Sequence, residues 1–219
     1  MAEALEAGLR DGAARLGLEL TESQVRQLLD YLDLIRKWGR VYNLTAVLEP
    51  AQMLTHHLLD SLAVVPGLVR QTGGRPLSLL DVGSGAGLPG VVIAICCPEI
   101  RVDCVDTVAK KAAFIQQTAA SLKLPNLRGL HARVENLKSA YEVVTSRAFA
   151  SLADFTTWSR ATLAEEGVWM ALKGKHPTEE LAALPAGVVV FHVEQLAVPG
   201  LDAERCIVWM KSAVGPRAA

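Results

Sequence analysis

Apolar positions recur at two periods along this chain, and the change of period divides it. Val25, Leu28, Leu29, Leu32, Ile35 and Trp38 follow i, i+3, i+4, i+7 spacing and predict an amphipathic helix. Thr21-Glu22-Ser23-Gln24 supplies a capping-box start for it. A second helix is predicted over 51–65, stopping at Pro66-Gly67, and Gln71-Thr72-Gly73-Gly74-Arg75-Pro76 reads as a linker. Beyond it, short apolar runs at 77–82, 101–106, 127–132, 142–146, 167–172, 187–195 and 205–211 predict strands. Helical patterns fall between most of them, at 88–96, 109–122, 153–164 and 178–184. Alternating strand–helix units imply an α/β fold with a mostly parallel, seven-stranded sheet and helices on both faces. Only a loop, Ala197 to Glu204, separates the last two strands, so they should close the sheet as an antiparallel hairpin. The division expected is an N-terminal helical extension over 1–72, packed on an α/β core over 73–219, in one structural domain.

Composition narrows the function. At 219 residues and 51% hydrophobic content the chain can bury one substantial α/β core, but not two full domains. A formal net charge of −1 gives no global attraction to nucleic acid, so any such binding needs a local basic patch. The start, Met1-Ala2-Glu3-Ala4-Leu5-Glu6, does not read as a signal peptide, and no apolar run approaches the ~20 residues that span a bilayer. A cytoplasmic protein without membrane contact is expected. Cys96, Cys97, Cys104 and Cys206 form no C-x-x-C pair and sit in apolar patterns, which suits buried, reduced thiols rather than a zinc site.

The chemistry centres on Leu79-Leu80-Asp81-Val82-Gly83-Ser84-Gly85-Ala86-Gly87, a buried strand ending in an acid and then alternating glycines. Glycines there let a ligand lie against bare backbone. Gly85-Ala86-Gly87-Leu88-Pro89-Gly90 matches G-x-G-x-x-G, the dinucleotide fingerprint, whose helix N-terminus binds a pyrophosphate. Asp81 weighs against that ligand, because a carboxylate at the strand tip repels a diphosphate. S-adenosylmethionine carries an ammonium and a sulfonium, which a nearby acid favours, and Asp81-x-Gly83-x-Gly85-x-Gly87 is similar to the first motif of Rossmann-like class I methyltransferases. A second strand ends at Asp106, where an acid can accept hydrogen bonds from both ribose hydroxyls of either ligand.

Further cations stand at predicted strand ends. Arg147 follows the fourth strand and is a poor general base, but it could hold a phosphate or a nucleic-acid base. Lys173-Gly174-Lys175 follows the fifth and completes a positive rim suited to a polyanion. Neither an Asn/Asp-Pro-Pro-aromatic turn nor a cysteine follows the fourth strand, so neither exocyclic-amine nor covalent cytosine chemistry is indicated. In the N-terminal part, His57, Asp60 and Ser61 fall on one helical face at i, i+3, i+4. No third ligand of suitable spacing follows, so a hydrogen-bonded cluster bracing the substrate side is expected rather than a metal site.

Taken in order, Tyr42-Asn43-Leu44-Thr45-Ala46, His57-Leu58-Leu59-Asp60-Ser61-Leu62, Asp81 to Gly90, Ser146-Arg147-Ala148-Phe149-Ala150-Ser151-Leu152 and Lys173-Gly174-Lys175 resemble one family. It is the bacterial ribosomal RNA small-subunit methyltransferase G family, also called glucose-inhibited division protein B. The resemblance runs from about Leu28 to Lys211. It implies methyl transfer from S-adenosylmethionine, leaving S-adenosylhomocysteine, to N7 of one guanosine in a loop of 16S ribosomal RNA, free or in the small-subunit particle, by a monomer. Cofactor contacts would then fall at Gly83, Leu88, Val134, Glu135 and Arg147, beside Ser84 and Gly85 of the loop and Asp106. Arg147 would carry the catalytic role, and Lys173, Lys175, His57, Asp60 and Ser61 would face the RNA. One departure stands out: many members follow the second strand with Asp-Ser and a basic residue, where this chain has Asp106-Thr107-Val108-Ala109-Lys110-Lys111. A small-molecule methyltransferase or a cofactor-sensing assembly factor on the same fold are the alternatives.

Overall fold

The computed structural model describes residues 2–42 and 44–213; Asn43, within the first of the family-like motifs, lies outside them. Two helices open the chain, α1 (Ala2–Arg15) and α2 (Glu22–Tyr42). The capping box at Thr21 forms as expected: Gln24 N–H donates to Thr21 Oγ1 at 3.3 Å, and Thr21 N–H donates to Gln24 Oε1 at 2.9 Å. The helix predicted over 51–65 is not uniform. It runs as α3 (Pro50–Met53), a π-helical stretch Leu54–Leu59, and α4 (Asp60–Leu62). Pro66-Gly67 does not stop it either, because α5 (Val65–Thr72) begins there with Pro66 in its first turn. A proline at that position forfeits an N–H that has no partner in the helix anyway. Gly73, at φ 65°, ends α5 in the left-handed conformation that glycine adopts freely.

Seven strands follow: β1 (Leu77–Val82), β2 (Ile100–Asp106), β3 (Leu127–His131), β4 (Tyr141–Arg147), β5 (Leu163–Lys173), β6 (Val188–Leu196) and β7 (Arg205–Ser212). Their order across one sheet is β3-β2-β1-β4-β5-β7-β6. The first five strands pair parallel, through four neighbour pairings, and β7 pairs antiparallel with both β5 and β6, so the closing hairpin is present. Between them lie α6 (Gly90–Cys96), α7 (Ala109–Ser121), α8 (Leu152–Trp158) and α9 (Thr178–Ala182). The helix expected over 153–164 ends at Trp158, and Leu163 already pairs with Tyr141. Ser159 and Thr162 cause this: Ser159 Oγ donates to Phe155 O at 2.5 Å and Thr162 Oγ1 to Ser159 O at 2.7 Å. Such side chains compete for the backbone partners a helix needs.

Alternation along the strands sends neighbours to opposite faces. Leu79, Val143, Met170 and Trp209 point to one side, where they bury against α2, α5, α6 and α7. Leu80, Val144, Trp169 and Val208 point to the other, under α8. The sheet order reverses between β1 and β4, which is the switch point where open α/β sheets bind ligands at their strand carboxyl ends. No described helix is long and apolar enough to cross a membrane.

Candidate active site

The glycine loop leaves β1 at the switch point. Gly83, Gly85 and Gly87 adopt φ of 66°, 59° and 92°, a backbone that side-chain-bearing residues rarely tolerate. Asp106 shapes the loop from β2: its Oδ2 accepts from Gly85 N–H at 3.0 Å and its Oδ1 from Val108 N–H at 2.8 Å. A cleft of ≈ 360 Å³ opens beside it, lined by Gly83, Asp106, Val134, Glu135, Phe149 and Trp158 among others. Four of the residues assigned to the cofactor from sequence thus share one wall system. Ser84 and Leu88 are buried, Leu88 within the core, and neither they nor Gly85 line the cleft.

Asp81 departs from its expected place. Its side chain is 0% exposed, behind the loop rather than in the cleft, and Oδ2 accepts from Gly90 N–H at 2.9 Å at the start of α6. Burial pushes its carboxyl up to about 7, and Oδ1 has no hydrogen-bond partner. With Gly90 N–H serving an internal carboxylate, the N-terminus of α6 has one donor fewer to offer a pyrophosphate.

A second cleft, of ≈ 460 Å³, lies across Ala148, which lines both. Ala148 itself holds φ 51°, a strained conformation for alanine of the kind that concentrates at functional sites. Arg147, expected at the cofactor, lines this second cleft and not the first. Its Nη1 donates to Asp60 Oδ2 at 3.0 Å and to His56 O at 3.2 Å. Arg205, at the start of β7, donates from Nε to the other Asp60 oxygen at 2.8 Å. One buried carboxylate therefore holds two guanidiniums from opposite strands.

His57, Asp60 and Ser61 do not form the cluster expected of them. His57 belongs to the π-helical stretch and Asp60 and Ser61 to α4; His57 and Asp60 both line the second cleft, but each bonds to other residues. His57 Nε2 pairs with Thr45 Oγ1 and Val47 O, each at 3.1 Å, and burial lowers its pKa. Ser61 is fully buried, its Oγ has no partner, and it does not line the cleft. The lysine rim also changes character. Lys173 lines the cleft, but its Nζ donates to Ala150 O at 2.9 Å and to both Glu180 oxygens at 3.0 and 2.7 Å. Lys175 is exposed and has no ion-pair partner among the described residues.

Cys206 lines the second cleft with a thiol that burial pushes up, and its Sγ donates to Lys175 O at 3.8 Å. Such a thiol is a poor nucleophile. Among the described residues no cluster of three or more His, Cys, Asp or Glu is arranged to hold a metal ion. Arg205 was missed from sequence, although a signal existed: in a closing antiparallel hairpin, the start of β7 returns to the carboxyl edge of the parallel strands. Phe149, inside the Ser146–Leu152 motif, was given no role from sequence, and Trp158 carried no signal. Their rings meet edge to face at 5.8 Å because α8 turns back over the loop.

Comparisons with known proteins identify the family and the fold. The family description "rRNA small subunit methyltransferase G" matches residues 24–208. A ribosomal RNA small subunit methyltransferase G from Polaromonas sp. (strain JS666 / ATCC BAA-500) is 70% identical over 94% of this chain and 93% of its own length. The same-named protein of Acidovorax ebreus (strain TPSY) is 65% identical over 94% and 95%. Among solved structures, TrmN from Thermus thermophilus superposes with a TM-score of 0.56 at 20% identity, over 73% of this chain and 53% of that one. A SAM dependent methyltransferase from Aquifex aeolicus gives 0.54 at 15%, over 76% and 99%. At such identities the two structures speak for the fold alone.

Proposed function

The chain belongs to the rRNA small subunit methyltransferase G family, and from that premise we propose that it transfers a methyl group from S-adenosylmethionine to N7 of one guanosine in a loop of 16S ribosomal RNA. The observation that carries this reading is the meeting, at Ala148, of a cleft that holds Gly83, the Asp106 carboxylate and Val134-Glu135 with a cleft lined by Arg147, Lys173 and Arg205. A methyl donor in the first and a base in the second would face each other across one residue.

The first cleft fits S-adenosylmethionine. After two backbone hydrogen bonds the Asp106 carboxylate keeps lone pairs for two ribose hydroxyls. Val134 offers a buried apolar wall for an adenine, and Glu135 an acceptor at its edge. Asp81, behind the loop with one oxygen unpaired, favours a cation over a phosphate in front of it. The bound cofactor supplies an electrophilic methyl on a sulfonium.

The second cleft fits RNA. Guanine N7 attacks with an in-plane lone pair and loses no proton, so the site needs no general base, and a guanidinium suffices to hold the base in line. Arg147, fixed by Asp60 and His56 O, retains further N–H donors for a base oxygen or a phosphate. Lys175 serves the phosphate backbone. Lys173 shapes the turn through Ala150 and Glu180. A loop guanosine is required, because duplex RNA hides its major-groove edge. On the same reading the protein works as a monomer, without metal, in the cytoplasm, on 16S RNA or the small-subunit particle.

Single-turnover transfer from tritiated S-adenosylmethionine to unmodified small-subunit RNA tests the reading. Label in the RNA is expected. Binding of NAD but not of S-adenosylmethionine, or transfer only to a small-molecule acceptor, would overturn it.

A further inference from the structure

Outside both clefts, one polar contact reaches the glycine loop from behind. Tyr31, on α2, is fully buried and donates its hydroxyl to Ala86 O at 2.7 Å. The rest of the loop is tied from within or from β2: Gly83 and Ser84 donate to Val105 O at 2.9 and 3.2 Å, Gly85 to Asp106, and Gly87 and Leu88 to Ser84 O at 2.7 and 3.2 Å. No backbone donor among the described residues reaches Ala86 O. The carbonyl at the apex of the loop depends on a side chain more than fifty residues upstream.

Tyr31 is held in register by two more contacts on the same helix. Gln24 Nε2 donates to Ile95 O and Cys96 O, both at 3.2 Å, at the end of α6. Gln27 Nε2 donates to Leu122 O at 2.9 Å, at the end of α7. Positions 24, 27 and 31 fall on one helical face. Two glutamines thus satisfy carbonyls that helix ends leave orphaned, and the third position falls on the loop apex. A Cβ added at Gly87 would stand 3.4 Å from the Tyr31 hydroxyl, so the same group also stands beside the loop residue of largest positive φ.

We propose that Tyr31 is a positioning residue for the cofactor: its hydroxyl fixes the Ala86 carbonyl and with it the left-handed turns over Gly85 and Gly87 that hold Gly83, the loop glycine lining the cofactor cleft, in place. Burial raises the phenol pKa well above its usual value, so the group remains a donor throughout the working range. The N-terminal helix thereby acts on the methyl-donor site without touching the donor. The inference rests on the reading that this loop carries S-adenosylmethionine.

The test compares Tyr31→Phe with Leu28→Ala, a substitution at another buried position of α2 that removes packing but no hydrogen bond. Calorimetric titration with S-adenosylhomocysteine should show Tyr31→Phe binding about tenfold more weakly, ~1.4 kcal/mol, and Leu28→Ala within twofold of wild type. Transfer kinetics should show a raised KM for S-adenosylmethionine with kcat and RNA affinity little changed. Amide exchange at Gly87 and Leu88 should quicken in Tyr31→Phe only. Unchanged affinity and exchange in Tyr31→Phe, or equal loosening in Leu28→Ala, would overturn the inference while leaving the functional reading standing. Wild-type protein that binds no S-adenosylhomocysteine would overturn both.

Discussion

The two clefts are built by different means. The cofactor cleft is supplied largely by short contiguous segments at strand ends: Val82-Gly83 after β1, Asp106-Thr107-Val108 after β2 and Arg133-Val134-Glu135 after β3. The second cleft is side chains from far apart in the chain, with Asp60 bridging Arg147 and Arg205, and Glu180 holding Lys173. A site made of such segments is written in adjacent letters. A site made of ion pairs depends on each partner, and its charge exceeds that of its carboxylates by only a little. Substitutions should therefore act locally in the first and propagate in the second.

The largest effect is expected at Asp60, where that contrast is sharpest. Asp60→Ala strands two half-buried guanidiniums, and should cost about 2–3 kcal/mol of stability, below the ~3–5 kcal/mol of a fully buried pair. Misplacing Arg147 by about 1 Å should lower methyl transfer roughly 100-fold. Cofactor affinity, measured by calorimetry, should stay within twofold; a matching loss there would dissolve the distinction between the clefts.

Asp106→Ala should do the reverse. Loss of charge-assisted hydrogen bonds is expected to weaken S-adenosylhomocysteine binding by about 1–3 kcal/mol, with RNA affinity in a filter assay unchanged. Unaltered cofactor affinity would remove Asp106 from the ribose site.

Asp81 tests whether the first cleft also rests on a buried charge. Its folded pKa, about 7, lies above the unfolded carboxylate value of 3.8. Between those values the folded state binds the extra proton, so this group makes stability fall as pH rises from about 4 to 7 and adds no slope above. Asp81→Asn should flatten that part of a denaturation series measured from pH 4 to 8. A slope identical to wild type would show that Asp81 titrates normally.

The smallest effect is expected at the rim. Lys175→Ala should reduce the salt dependence of RNA binding by roughly 0.7–0.9 in log–log slope, one phosphate contact. Lys173→Ala should instead lower the melting temperature through its lost bonds to Ala150 and Glu180, with little change in that slope. If Lys173 carries the salt slope, the ion pair seen with Glu180 opens when RNA binds.

The contrast also explains what the sequence could and could not tell. All seven strands were legible because a period-two pattern and buried apolar runs are local. The glycine loop and Asp106 were legible because bare backbone followed by a strand-end acid is a short-range statement. Asp60 and Arg147 were each visible, but their pairing was not, since it forms only when β4 and the start of α4 meet. The partners of His57, Thr45 and Val47 O, come from the preceding loop, which helical spacing does not reveal. Tyr31 sits beside an ordinary packing stripe, and nothing in that stripe distinguishes a phenol that fills space from one that holds a carbonyl.

The central claim is that the two clefts join a methyl donor to a guanine N7 of small-subunit RNA. Transfer from tritiated S-adenosylmethionine to unmodified 16S RNA, followed by borohydride and aniline cleavage at N7-methylated guanosines, tests it directly. The account predicts a single labelled guanosine in a loop, cleaved at that position. Label that resists cleavage, or spreads over many nucleotides, would contradict it.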